Sequence, residues 1–228
     1  KLRAFGADLA VTWLNEKAEK HVRPLAEQLD ADIMMAMDVE QPGQMEATFE
    51  AIGRRWGRLD FVIHSVAFAP RADLHGRVVD CSADGFSQAM RVSVHSFLRM
   101  AHLAEPLMTN GGTLVTMSYY GADKVVGNYN MMGPVKAALE ASVRYAAAEL
   151  SASRIRVYAV SPGPLKTRAA SGIAQFDELI EETVKRAPAG RLIDIAEIGR
   201  VVAFLVSGAA SGMTGDTIYV DGGLHNVA

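Results

Sequence analysis

Apolar runs of strand length alternate with polar, helix-spaced segments from one end of the chain to the other, and this alternation restricts the fold more than any other feature. Ala7 to Trp13 is strand-like, and Glu16 to Leu29 has helical spacing with its charges on the outer face. Asp32 to Met37 is a second β-type run, Gln44 to Trp56 a second helix, and Leu59 to His64 a buried strand centred on Phe61-Val62-Ile63. Such alternation predicts parallel strands joined by crossover helices. After a loop from Ser65 to Ser82, one long helix is expected over Asp84 to Met108. Asn110-Gly111-Gly112 then turns into the strand Thr113 to Met117. A loop from Tyr119 to Gly127 leads to a helix over about Tyr129 to Ser151, with Pro134 near its first turn. Arg156 to Val160 is the next strand, and Ser161-Pro162-Gly163-Pro164 is expected to end it. A loop with one or two short helices follows from Leu165 to Pro188, then a helix over Ile195 to Val206 and a last strand, Thr217 to Val220. With 228 residues, 50% of them hydrophobic, and no dividing linker or repeat, the chain reads as a single α/β domain with a substantial core.

A formal net charge of −3 without a long basic run argues against nucleic acid as the principal partner. No apolar stretch reaches the roughly 20 residues of a membrane span, so no membrane association is expected. The lone Cys81 forms no internal disulfide, as in a reducing compartment, and the expected location is the cytoplasm. The six histidines show no metal spacing, so no metal is expected, and His64 reads as a packed, hydrogen-bonded residue.

In an open parallel sheet, ligands bind beyond the carboxyl ends of the strands. Asp38-Val39, Ser65-Val66-Ala67, Met117-Ser118-Tyr119 and Pro162-Gly163-Pro164-Leu165 all fall on that rim. Just beyond it, Tyr129 and Lys136 stand with six residues between them. On one helix they would share a side, roughly 10 Å apart along the axis at about 1.5 Å per residue. A lysine ammonium would lower the phenol pKa, and the phenol would meet a reacting oxygen while the ammonium holds a cofactor. Tyr120 and Lys124 form a competing Tyr-x3-Lys pair, but Gly121 and Gly127 make that stretch a poor helix. Met132 lies close enough to Tyr129 to line an apolar pocket.

The chain resembles one family along its whole length. The resemblance rests on Trp56-Gly57-Arg58-Leu59-Asp60, His64-Ser65-Val66-Ala67-Phe68-Ala69-Pro70, Ser118-Tyr119, the Tyr129/Lys136 pair in its Asn-Tyr-Asn setting, Gly163-Pro164-Leu165-Lys166-Thr167 with Ala169-Ala170-Ser171-Gly172-Ile173, and Val220-Asp221-Gly222-Gly223. These segments are similar to those of the bacterial type I enoyl-acyl carrier protein reductases, a divergent branch of the short-chain dehydrogenases. The resemblance implies a Rossmann-type doubly wound parallel sheet and hydride transfer from NADH to the β-carbon of a trans-2-enoyl thioester carried on acyl carrier protein. It implies that Tyr129 stabilises the enolate, that Lys136 holds the nicotinamide ribose and that Tyr119 flanks the substrate. It further implies cofactor contacts from Asp38, Val39, Ser65, Val66, Ala67, Met117, Lys136, Pro162, Gly163, Leu165 and Thr167. Substrate contacts are implied for Ala69, Tyr119, Tyr129, Met132, Ala169 and Phe176, with a substrate-binding loop and helices inside 165–188. A homotetramer is implied as well.

The turn Thr12-Trp13-Leu14-Asn15-Glu16 lacks the adjacent Arg and Lys that would clamp a 2′-phosphate, which favours NADH over NADPH. Lys166, Arg168, Lys185 and Arg186 are basic candidates for meeting an acidic carrier. The family's first strand and glycine-rich phosphate turn do not occur in the sequence, so the natural protein is expected to be longer by about 30 to 40 residues, the size of a βα unit. Two other readings stand beside the first: a 3-oxoacyl-thioester or carbonyl reductase using Tyr120 and Lys124, and a non-catalytic dinucleotide-binding protein.

Overall fold

The computed structural model describes residues 1–165 and 176–227, the side chains of 176 and 177 excepted. In chain order the strands and helices are β1 (Ala10–Trp13), α1 (Glu16–Gln28), β2 (Ile33–Ala36), α2 (Gln44–Trp56), β3 (Phe61–His64), α3 (Arg71–Leu74), α4 (Ala83–Met90), α5 (Ser96–Ala104), β4 (Gly112–Met117), α6 (Met132–Glu149), β5 (Ile155–Pro162), α7 (Phe176–Arg186), α8 (Ile195–Val206), β6 (Thr217–Val220) and α9 (Leu224–Val227). Among the described residues the strands pair in parallel throughout, β1 with β2 in one sheet and β3-β4-β5-β6 in another. Every carboxyl strand end within a sheet therefore points the same way, which is what gathers the loops after β3, β4 and β5 on one rim.

Alternation along the central strands fills two cores. Leu114, Val157 and Ala159 join Phe49 of α2, Phe97 of α5 and Leu139 of α6, while Val115, Tyr158 and Val160 join Ile198, Val202 and Leu205 of α8. Neighbours in sequence thus serve opposite faces, the period-two pattern of a strand. Helices on both faces make this a single Rossmann-type domain, as expected.

The expected long helix over Asp84 to Met108 is interrupted. Between α4 and α5 the backbone widens into a π-type turn, Arg91–His95. Ser93 of this turn accepts from the Phe68 amide at 3.0 Å and fixes the loop that leaves β3. β5 also differs, running on through Ser161 and Pro162 to pair with β6. Its pairing with β4 stops at Val160, so Pro162 has β6 as its one strand neighbour and its missing N–H breaks no ladder. The helix expected from Tyr129 begins three residues later at Met132, for a reason that belongs to the site.

Candidate active site

Beyond β4 the chain makes a short helical turn, Tyr120–Ala122, and returns to α6 through Gly127-Asn128-Tyr129-Asn130-Met131. Tyr129 is not on the helix, which corrects the picture of a shared helical face with Lys136. Asn128 and Asn130 on either side of it have φ of +61° and +46°, left-handed values that asparagine tolerates and most L-residues do not. Asn130 is also anchored, its Nδ2 donating to the Leu74 carbonyl at 2.7 Å. The tyrosine is presented by a tight, cross-linked turn, which explains why helical spacing failed here.

Three tyrosines converge. Tyr119 and Tyr129 meet edge to face with ring centroids 4.8 Å apart, and Tyr119 meets Tyr120 at 4.7 Å. All three are buried. The Tyr119 hydroxyl makes no hydrogen bond of good geometry among the described residues; burial first, and then the neighbouring Tyr120 hydroxyl, push its phenol up. Burial pushes the Tyr129 phenol well above its ordinary value, and the Glu140 carboxylate pushes it further. The phenol is therefore held protonated, opposite to the lowering expected from a lysine neighbour.

Lys136 lies on the first turns of α6 and is 6% exposed. Its ammonium donates to the Met117 carbonyl, at the end of β4, at 2.7 Å. Burial draws its pKa down to about 8, against the opposing pull of Glu140. Glu140, one helical turn further on, is itself buried and accepts a hydrogen bond from Ser118 Oγ. Met117 and Ser118 thus grip the cation and the anion of α6 from adjacent positions. Glu140 carried no signal at the sequence level beyond its i+4 spacing from Lys136.

His64 closes β3 and is 1% exposed. Its Nδ1 and Nε2 each lie 2.8 Å from a hydroxyl, of Thr116 and Ser96 respectively. Ser96 Oγ donates to the Val92 carbonyl at 2.6 Å, so it accepts from Nε2–H, and the Thr116 hydroxyl serves Nδ1. Burial first, then the Lys136 charge, hold His64 neutral with a pKa near 3. It is the packed histidine that the sequence suggests, at a position that locks β3, β4 and the first residue of α5 together.

The rim residues fall where the strands end. Ser65 and Ala67 are exposed and Val66 half-buried after β3; Asp38 and Val39 are half-buried after β2; Gly163 is buried and Pro162 and Leu165 half-buried at the end of β5. The Asp38 amide donates to Gln44 Oε1 at 2.7 Å, and Glu40 beside it accepts from Gln88 and Arg91, tying this loop to α4 and the π-type turn. Gly163 is packed so closely that a Cβ would stand 3.2 Å from the Asp221 backbone. Ala69 is half-buried and Met132 buried. Thr167 and Ala169, with Lys166 and Arg168, lie outside the described residues, and Phe176 opens α7 without a described side chain. The competing pair does not assemble: Tyr120 is buried, whereas Lys124 points its ammonium at Asp123, 3.5 Å away at the surface. Among the described residues there is no cluster able to hold a metal and no helix long and apolar enough to cross a membrane.

The family model described as enoyl-(acyl carrier protein) reductase matches residues 1–225. The chain is 44% identical over 226 residues to an NADH enoyl-acyl carrier protein reductase of Rhizobium meliloti, covering 99% of this chain and 83% of the relative. It is 43% identical to the corresponding protein of Synechocystis, covering 98% and 88%. Among solved structures, the reductase of Anaplasma phagocytophilum in complex with NAD superimposes with a TM-score of 0.95 at 44% identity, covering 100% of this chain and 87% of that one. The Bacillus cereus reductase with NADP+ and an indole naphthyridinone gives 0.96 at 41%, covering 100% and 89%. A family model matched over residues 1–225, relatives more than 40% identical over nearly the whole chain and a superimposable solved structure place the chain in the enoyl-acyl carrier protein reductase family.

Proposed function

We propose that the protein is an NADH-dependent enoyl-acyl carrier protein reductase of fatty-acid synthesis, acting on trans-2-enoyl thioesters. The observation that carries this reading is the Tyr129 phenol, buried and held protonated beside Tyr119 at the edge where Lys136 meets the end of β4. NADH, when bound, supplies the hydride that goes to the β-carbon. Negative charge then develops on the thioester carbonyl oxygen, and Tyr129 donates a hydrogen bond to it. Because the phenol keeps its proton, that donor is in place before the charge forms. Tyr119 flanks the acyl group with a hydroxyl that makes no hydrogen bond of good geometry among the described residues. The enolate is finally protonated at the α-carbon.

The residues fit a dinucleotide. An ammonium carries three N–H donors, and among the described residues Lys136 directs its hydrogen bonding to Met117, which leaves capacity for ribose hydroxyls. Asp38 and Val39 would flank the adenine, and Ser65, Val66, Ala67, Met117, Pro162, Gly163, Leu165 and Thr167 would line the rest. Ala69, Met132, Ala169 and Phe176 would contact the acyl chain, with 165–188 as the substrate-binding segment. The carrier protein would approach near Lys185. Arg186 is a weaker candidate than its charge suggests, since it already donates to the Val227 carbonyl at 2.8 Å. A homotetramer in the cytoplasm completes the reading.

The test is NADH oxidation by the intact enzyme with crotonyl-CoA against acetoacetyl-CoA, and NADH against NADPH. Turnover of the enoyl thioester with NADH is expected; preference for the oxoacyl thioester would transfer the function to a carbonyl reductase. Light scattering on the same sample tests the tetramer.

A further inference from the structure

Two ionisable side chains of α6 are buried together, and the reaction described above uses one of them. Lys136 is bound by the Met117 carbonyl at 2.7 Å. Glu140 is 9% exposed, lies one turn along the same helix face, and is held by the Ser118 hydroxyl. A carboxylate removed from water is costly unless it is compensated. The hydroxyl supplies one hydrogen bond, and Lys136, four positions earlier on the helix and beyond direct ion-pair contact, is the cation that senses this carboxylate. Ser118 is the residue between the Lys136 acceptor and Tyr119, so β4 sets the spacing of the whole group.

We propose that Glu140 is a positioning residue of the reductase site: a buried counter-charge, aimed by Ser118, that keeps Lys136 and Tyr129 in the proton-bearing forms in which both act as donors. This rests on the assignment of Tyr129 and Lys136 to the reaction. The chemistry is coherent, since an anion favours the charged form of an ammonium and disfavours phenolate. Both effects have the same sign at this site, where Glu140 raises Lys136 against the pull of burial and raises Tyr129 along with it. Among the described residues, the other titratable groups around Lys136, Tyr129 and Glu140 are His64 at the end of β3, which burial and the Lys136 charge keep neutral, Tyr119, whose ring meets Tyr129, and Tyr219 on β6, which also senses Glu140, with the buried Asp221 beyond them acting on Tyr119 and Tyr219. His64 and the two tyrosines supply no anion at neutral pH, and Glu140 is the carboxylate that acts on Lys136 and Tyr129 themselves. Glu140 is thus the group whose loss would leave the Lys136 ammonium buried without a counter-charge.

The experiment is the pH dependence of kcat/KM for NADH and crotonyl-CoA in the intact enzyme, for the wild type, Glu140→Gln and Ser118→Ala. Glu140→Gln keeps the size and the Ser118 contact while removing the charge. In the wild type, activity should fall on the alkaline side as Lys136 loses its proton near pH 8. In Glu140→Gln that fall should move to lower pH by about one unit or more, the size of a close opposite-charge effect. Ser118→Ala should move it the same way by less, and it decides the matter if Glu140→Gln does not fold. A merely structural role would lower activity equally at every pH; profiles that superimpose after scaling would overturn the proposal. Failure of the wild type to reduce any enoyl thioester would instead overturn the functional assignment on which it rests.

Discussion

Gly121 stands so close to Tyr129 that a methyl group on its Cα would come within 2.6 Å and 2.9 Å of two carbons of the tyrosine ring, and within 3.3 Å of Tyr119. The missing side chain is the space in which the Tyr129 ring sits. Its backbone angles are ordinary, so Gly121→Ala introduces a collision without a strained φ. We expect kcat on crotonyl-CoA to fall on the order of 10- to 100-fold, the cost of displacing a reacting group by a fraction of an ångström to an ångström. NADH binding, followed by fluorescence, should change little. A variant with wild-type kcat would show that Tyr129 has room to spare.

Tyr129→Phe removes the donor and keeps the ring that packs on Tyr119. Loss of one hydrogen bond to a developing oxyanion predicts a fall in kcat of about 10²- to 10³-fold with little change in Kd for NADH. Steady-state kinetics on purified enzyme checks this, and full retention of activity would move the enolate contact to another residue.

Asn130 serves the turn twice, by its left-handed backbone and by its bond to Leu74. Asn130→Gly should preserve the first and lose the second, whereas Asn130→Ala loses both. Urea unfolding should therefore rank wild type above Asn130→Gly above Asn130→Ala, the last step costing about 1 kcal/mol from backbone strain. Equal stability of the two variants would mean that the φ value carries no strain.

His64 predicts the acid limb of stability. Its pKa is about 3 in the folded protein against 6.5 for the free side chain, so the unfolded state binds more protons in between. The contribution from its neutral, hydrogen-bonded form is fully present above about pH 6.5 and is lost as pH falls towards 3. His64→Gln retains an amide able to serve Thr116 and Ser96 but does not titrate. Its denaturation midpoint should decline less steeply than that of the wild type between pH 7 and pH 4.5, and parallel slopes would assign the acid loss to carboxylates alone.

Legibility from sequence was uneven, for physical reasons. α2, α8 and β6 begin and end where periodicity puts them, because each is bounded by a cap, a glycine or a clear change of pattern. The succession of strands along the chain and the position of Ser65, Met117 and Gly163 at strand ends follow from the same local signals. The failures lie where tertiary contacts override local preference. Pro162 remains in β5 because its neighbour on one side has ended, and the π-type turn at Arg91–His95 is fixed by contacts of Ser93 and Ser96 with residues 25 and 32 positions away. The Tyr129/Lys136 spacing singles out Tyr129 as a candidate, but its presentation by two left-handed asparagines is not legible in the sequence. Glu140 escaped notice because a glutamate at i+4 from a lysine normally marks a solvated face, and here it is enclosed.

Tyr119, Tyr129 and Met132 belong to the same apolar cluster as Leu114 of β4, Phe97 of α5 and Leu139 of α6. Among the described residues these side chains are therefore part of the scaffold's own core, and no separate melting transition is expected of them. Catalytic competence and global cooperativity are then one property: on heating, enoyl reduction and near-ultraviolet circular dichroism should vanish along a single curve, with no inactive yet folded stage between them.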